Sequence, residues 1–495
     1  MKNLILSVFL LAFIPLFAQK NKAPKNPKLV VGIVVDQMRY EYLYRYYNDF
    51  GKDGFKKLMK KGMNCRNTNY NYVPTYTGPG HASIYTGTTP ANHGIVANSW
   101  FSQEEGKLVN CVEDSSVTAV GGTDLYGKFS PTRLKTNTIT DQLRLTNRES
   151  KVISVSLKNR GAILPGGHMS NGSYWFDYSN GKFVTSSFFK KELPQWVMSF
   201  NAQEYPKKDL QKTWDLMLEP SNYTESRADD YSYEVTLPGK EKPTFPYDFS
   251  KMTKDLEGFA LFGYTPFSNT TLLNFAKKGI ENEQLGKDGH TDFLNVSISA
   301  TDIIGHAFGP YSVEIQDTYI RLDRDIADFI KYLDKEVGKG EYLLFLTADH
   351  AVQPIPQFLI DQKLKANYFA VNDFKMALTD HISRHFDVDT FNVISAVKNQ
   401  QIYLNDGLLA ERKIDKDVLI KSIKTFIFTQ KGVKNVFLKS DLLMSNQLNE
   451  LNELINKGIH HKESGDIIFM LEPGYLAVGE HTKGHKEGTS HGSPY

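Results

Sequence analysis

Seven side chains spread along 495 residues have the chemistry to hold two zinc ions around a threonine. They are Asp36, Thr77, Asp302, His306, Asp349, His350 and His491. Zinc takes carboxylate oxygens and neutral imidazole nitrogens, and a catalytic site keeps positions open for substrate. Asp302 and His306 stand one helical turn apart, so one helix face can present both to a single ion. Asp349 and His350 are adjacent at the end of an apolar run and would leave it in different directions. The natural division gives Asp302, His306 and His491 to one zinc, and Asp36, Thr77, Asp349 and His350 to the other. Two zincs about 4 Å apart clamp the attacking and departing oxygens of an in-line phosphoryl displacement. Taken singly, Asp36 reads as a helix cap and His306 as a core imidazole. The argument for metal rests on all seven together.

Residues 74–83, PTYTGPGHAS, form a glycine-punctuated turn into a helix. A hydroxyl at such a helix start lies beside free backbone N–H groups, which favour an anion. Zinc coordination also lowers the pKa of a hydroxyl enough for an alkoxide nucleophile near neutral pH. Thr77 is the candidate nucleophile, Thr75 is its rival, and a simple cap is the bland role. Lys158-Asn159-Arg160 follow the apolar run 152–157. Alternate residues of an extended segment point the same way, so Lys158 and Arg160 can both face the site. A phosphate monoester carries about one more negative charge than a diester, and two cations would stabilise it. A solvated turn is the alternative. His81, His93 and His168 lie near these motifs with no role assigned, and His481 and His485 could rival His491.

The elements that must position these groups are legible as short, β-branched apolar runs at 29–35, 152–157, 293–298 and 342–346. Such runs read as buried parallel strands. Residues 319–333 carry apolar side chains at three- and four-residue spacing, a helical pattern. Alternating strands and helices imply an α/β fold with a doubly wound sheet, whose functional groups gather outside the carboxyl ends of the strands. Asp36, Lys158, Asp302 and Asp349 all fall there. The core is therefore expected in residues 19–165, 291–355 and 479–495. Residues 166–290, rich in aromatic, Pro, Ser and Asn residues, and residues 356–478 are expected to be insertions that form a cap.

The first 18 residues have an early lysine, an apolar stretch over 4–17 and a small residue at Ala18. This is a signal-peptide pattern, too short for a comfortable membrane span, so a periplasmic or secreted protein without a lasting anchor is expected. Formal net charge is +2 with dispersed lysines, which gives no nucleic-acid footprint. Cys65 and Cys111 could pair in an oxidising compartment or remain two thiols. A monomer is expected.

Four motifs, TYTGPGHASIYTGTTPANHGI, SATDIIGHAFGP, LTADH and GTSHGSPY, join the zinc cassette in a combined resemblance. They resemble the alkaline phosphatase superfamily, in particular its phosphodiesterase/nucleotide pyrophosphatase-like branch, from residue 29 to 495 with two interruptions. Lys158-Asn159-Arg160 makes the likeness closest to bacterial phosphate-irrepressible alkaline phosphatases. The resemblance implies a mostly parallel sheet flanked by helices, two Zn2+, the ligands named above and Thr77 as nucleophile. It also implies Asn98 on a phosphoryl oxygen and Lys158 in the place of a third, magnesium, site. The implied activity is hydrolysis of phosphate monoester small molecules through a phospho-threonine. The alternatives are a phosphodiesterase or nucleotide pyrophosphatase on the same metals, and an inactive exported binding protein. Sulfatase relatives use Cys/Ser-x-Pro-x-Arg, which residues 77–81 do not match. Two departures stand out. Ala351 replaces a glycine common among relatives. The chain also stops at Tyr495, where relatives continue with a strand, a helix and a further histidine, so residues 479–495 read as a truncated return to the core.

Overall fold

The run Leu29–Val35 (β1) is extended because β-branched residues fill a pleated, fully covered surface. It lies inside a seven-stranded sheet together with Ala119–Val120 (β2), Val152–Ser156 (β3), Gly172–Asp177 (β4), Lys182–Ser186 (β5), Asp292–Ile298 (β6) and Tyr342–Thr347 (β7). The computed structural model describes residues 26–253, 258–386, 393–444, 449–479 and 488–491. The expected signal peptide, His481 and His485 lie outside the described residues.

The spatial order is β7-β1-β6-β3-β4-β5-β2. The first five strands run parallel, and β5 and β2 continue the sheet antiparallel. Val35 pairs with Ile298 and Val34 with Thr347. The chain therefore leaves β1, β6 and β7 at one level, and the residues that follow share one edge of the sheet. β1, β3, β4 and β6 are buried almost throughout, as strands covered on both faces must be. β7 is the edge strand and is partly exposed.

Five helices matter to the site: Thr77–Thr86 (α1), Asn159–Gly166 (α2), Phe267–Asn282 (α3), Ala300–Phe308 (α4) and Val313–Leu333 (α5). Ser312 caps α5 by accepting the Ile315 N–H at 3.2 Å, a bond that contributes about 1 kcal/mol. Ile315, Tyr319, Leu322, Ile326 and Phe329 then form one apolar stripe, buried in the core shared with Val31, Ile33 and Val296.

One expectation needs correction. Residues 166–290 are not simply a cap, because β4, β5 and α3 belong to the central sheet and its core. Their apolar content is largely aromatic, so no aliphatic run marks them. Phe183 of β5 stacks on Phe275 of α3 with centroids 4.0 Å apart. The remainder of that stretch folds beside α5, where Trp214 Nε1 donates to Asp317 Oδ2 at 2.6 Å.

Ile394–Lys398 (β8), Gln401–Leu404 (β9), Val433–Leu438 (β10) and Ile467–Leu471 (β11) make a separate antiparallel sheet, ordered β8-β9-β11-β10. Leu378, Leu419, Ile423, Ile427 and Phe469 give it a core of its own. It touches the main body near α1, where Val73 N–H donates to Leu454 O at 3.1 Å. Trp100 Nε1 donates to Glu463 Oε2 at 3.0 Å. Cys65 is exposed, Cys111 is buried, and the two do not pair. Among the described residues no helix is long and apolar enough to cross a membrane.

Candidate active site

Each ligand candidate is delivered by the end of an element. Asp36 follows β1, its N–H donating to Ile298 O at 3.0 Å, and its own carbonyl accepts from Thr301 Oγ1 at 2.6 Å. Asp302 and His306 lie one turn apart on α4, with His306 Nε2 3.1 Å from Asp302 Oδ1. Asp349 and His350 follow β7, steadied where Tyr70 donates to Ala348 O at 2.7 Å. α1 brings in Thr77, and its close approach depends on Gly80: a Cβ there would stand 2.4 Å from Asp349 O.

The seven converge. One donor atom each from Asp36, Asp349 and His350 lie within 4.8 Å of one another, and the same holds for Asp302, His350 and His491. Thr77 Oγ1 is 3.3 Å from His350 Nε2. His350 borders both groups, its Nε2 lying 3.3 Å from Asp36 Oδ1, 3.6 Å from Asp349 Oδ2 and 3.9 Å from Asp302 Oδ1. The division of ligands read from sequence is therefore not clean at His350. His306 meets the second group through Asp302.

All three imidazoles are turned the same way. His306 Nδ1 bonds Thr489 O at 2.7 Å, His350 Nδ1 bonds Ala351 O at 2.9 Å, and His491 Nδ1 bonds Thr75 O at 3.0 Å. A carbonyl can only accept, so each Nδ1 carries a proton and each Nε2, the donor atom of a neutral ring, faces the centre. That is how a metal-binding histidine is oriented. Thr75 thus enters the site through its carbonyl, and Thr77 supplies the hydroxyl.

The donor set fits a divalent cation. Asp36 Oδ1 and Asp349 Oδ2 are buried with no hydrogen-bond partner, an arrangement that costs several kcal/mol unless a cation satisfies them. Burial and the Asp302 and Asp349 carboxylates push Asp36 up. Burial opposes a proton on His350, yet Asp349, Asp36 and Asp302 overcome it and raise His350 to about 9. Burial likewise works against the Asp302 charge, but His306 and Lys158 hold that carboxyl well below its usual range. His491 is pushed well down by burial and by His350. Three carboxylates in one dry pocket demand positive charge, and a metal would supply it while leaving the imidazoles neutral for ligation.

Lys158 reaches the same centre. Its Nζ lies 2.6 Å from Asp36 Oδ2 and also contacts Asp302 Oδ2, tying the two donor groups. Burial disfavours this ammonium, but Asp302 and Asp36 outweigh it and its pKa is raised. Arg160 is not set beside Lys158 by strand alternation. Lys158 stands at the N-cap position of α2 without capping it, and Arg160 sits in its first turn. The Arg160 Nε is buried without a hydrogen-bond partner. The start of α1 also has little free N–H to offer an anion. The Gly78 N–H donates to Asn98 Oδ1 at 2.7 Å, and Pro79 has no N–H to offer. With Oδ1 committed, the Asn98 side chain retains its NH2 as a donor.

His81, left without a role by the sequence, is fully buried. Its Nδ1 bonds Thr77 O at 2.8 Å with Asp349 Oδ2 3.2 Å away, and its Nε2 accepts from Ser297 Oγ at 2.8 Å. The four-residue spacing from Thr77 on α1 was the available signal. Two other histidines are structural: His93 bonds Ser83 Oγ at 3.0 Å, and His168 bonds Asp141 Oδ2 at 3.1 Å.

A mostly parallel sheet with an acidic, imidazole-rich pocket at its carboxyl edge defines the class of α/β hydrolases built like the alkaline phosphatases. The family described as type I phosphodiesterase / nucleotide pyrophosphatase matches residues 30–494, and the chain belongs to it. It is 42% identical over 477 residues to alkaline phosphatase PafA of Elizabethkingia meningoseptica, covering 96% of this chain and 86% of that one. It is 42% identical over 461 residues to alkaline phosphatase PhoV of Synechococcus elongatus, covering 93% and 82%. A protein of Myroides odoratus named a calcium-transporting ATPase is 43% identical over 472 residues, covering 95% and 85%. The crystal structure of wild-type PafA superposes with a TM-score of 0.90 at 41% identity, covering 95% of this chain and 88% of that chain.

Proposed function

We propose that the protein is an exported phosphate monoester hydrolase that works with two zinc ions and a phospho-threonine at Thr77. The observation that carries this reading is the Thr77 hydroxyl, 3.3 Å from an imidazole shared by two carboxylate-imidazole groups. Asp36, Thr77, Asp349 and His350 would hold one ion, with Asp302, His306 and His491 around the other. Zinc at these donors would supply Lewis acidity, lowering the pKa of a bound hydroxyl and offsetting negative charge. Thr77 Oγ1 attacks phosphorus, the P–O bond to the leaving alcohol breaks, and water later cleaves the phospho-threonine to give inorganic phosphate and free Thr77. The Asn98 NH2 donates to one phosphoryl oxygen. Lys158 and Arg160 meet the extra charge of a monoester. The names of the PafA and PhoV relatives support this substrate class, and a terminal phosphoryl group such as that of ATP has the same charge.

The test is a rapid-quench measurement on zinc-loaded protein with a radiolabelled monoester. Label should appear on Thr77, and Thr77→Ala should lose both the label and roughly a thousandfold or more in turnover. Label on Thr75 refutes the assignment. Export rests on residues 1–18, and amino-terminal sequencing of the mature protein checks it.

A further inference from the structure

Gln37 follows Asp36 with φ of +66°, a left-handed backbone seldom adopted by a residue other than glycine, and it is buried. Its backbone N–H donates to Asp349 Oδ1 at 3.1 Å. The side chain runs the other way, where Nε2 donates to Asp302 Oδ1 at 2.8 Å, with the Asp302 carbonyl at 3.4 Å. Asp349 belongs to one donor group and Asp302 to the other, so a single residue holds a carboxylate of each. The amide has room only because residue 305 is glycine. A Cβ there would stand 2.0 Å from Gln37 Oε1, yet the atom it would displace is the tip of a flexible side chain, so the helix itself could accept it.

We infer that Gln37 is a positioning residue, a strut that fixes Asp302 relative to Asp349 and so sets the relation between the two metal pockets. A hydrogen bond to a ligating carboxylate both orients the ligand and restricts its motion. A residue kept only for packing would need neither the donor nor the strained backbone. This inference rests on the two-zinc reading above.

The test uses the full zinc-loaded chain as wild type, Gln37→Met, Gly305→Ala and the double variant, each challenged with excess dipicolinate while zinc release is followed. Methionine keeps the length but cannot donate. Gly305→Ala keeps Gln37 and pushes its amide aside. Each single variant should release its first zinc about tenfold to a hundredfold faster than wild type. The double variant should be no faster than the faster single, since both remove one bond. Unchanged release from Gln37→Met, or effects that multiply in the double variant, overturns the strut. If Gln37→Met fails to fold by circular dichroism, unchanged release from Gly305→Ala overturns it instead. Fewer than two zincs in the wild type overturns the two-zinc reading as well, and that failure is visible before any variant is made.

Discussion

The two donor groups differ in how they are built. Asp36, Asp349 and His350 stand at the ends of adjacent strands, and their side chains are wholly buried. Asp302 and His306 project from a helix, His491 comes from a distant segment, and the His306 side chain is 34% exposed. Strand ends locked by a parallel ladder cannot shift one ligand without disturbing the sheet. A helix and a separate segment can move apart. The first group is thus suited to hold its own geometry fixed, and the second to admit and release what comes and goes.

Among the effects that bear on that contrast, the largest tests it directly. Gradual chelation should remove the ion at Asp302, His306 and His491 first, leaving a one-zinc protein whose turnover is down about a hundredfold or more. Zinc counted against activity checks this, and simultaneous loss of both ions would erase the distinction. Next in size is Lys158, which spans the groups. Lys158→Ala combined with Arg160→Ala should lower activity on a monoester by about a hundredfold and spare a matched diester. Equal losses would favour the diesterase alternative. The smallest effect belongs to the buried group alone. His81→Leu removes the partners of Thr77 O and Ser297 Oγ and should cost about 1–3 kcal/mol of stability, measured by urea denaturation. If His81→Leu leaves stability intact, the buried group is less tightly held than its hydrogen bonds imply.

Much of this was readable beforehand because ligands sit where apolar runs stop. Leu29–Val35 announces Asp36, and Tyr342–Thr347 announces Asp349 and His350. The strands Gly172–Asp177 and Lys182–Ser186 stayed hidden, since aromatic and hydroxyl side chains mask an alternation that only tertiary packing reveals. Arg160 reads as extended chain although it opens a helix, because a strand's end and a helix's first turn look alike over three residues. Adjacency in sequence also could not tell that His350 would border both groups. That depends on a side-chain direction chosen by the Ala351 carbonyl. Gln37 was invisible for a similar reason, as nothing in its neighbours foretells a left-handed backbone.

His491 docks against Thr75 and beside Asp302, joining stretches that ribosomes make far apart in time. While the polypeptide is being synthesised, Asp36 and Thr77 emerge long before the imidazole that completes their surroundings. A cation captured early would meet only a partial cage, so full loading has to follow synthesis through residue 491. Once captured, the ions would act as a clasp closing a very large loop, and loss of the His491 contact would be enough to reopen it.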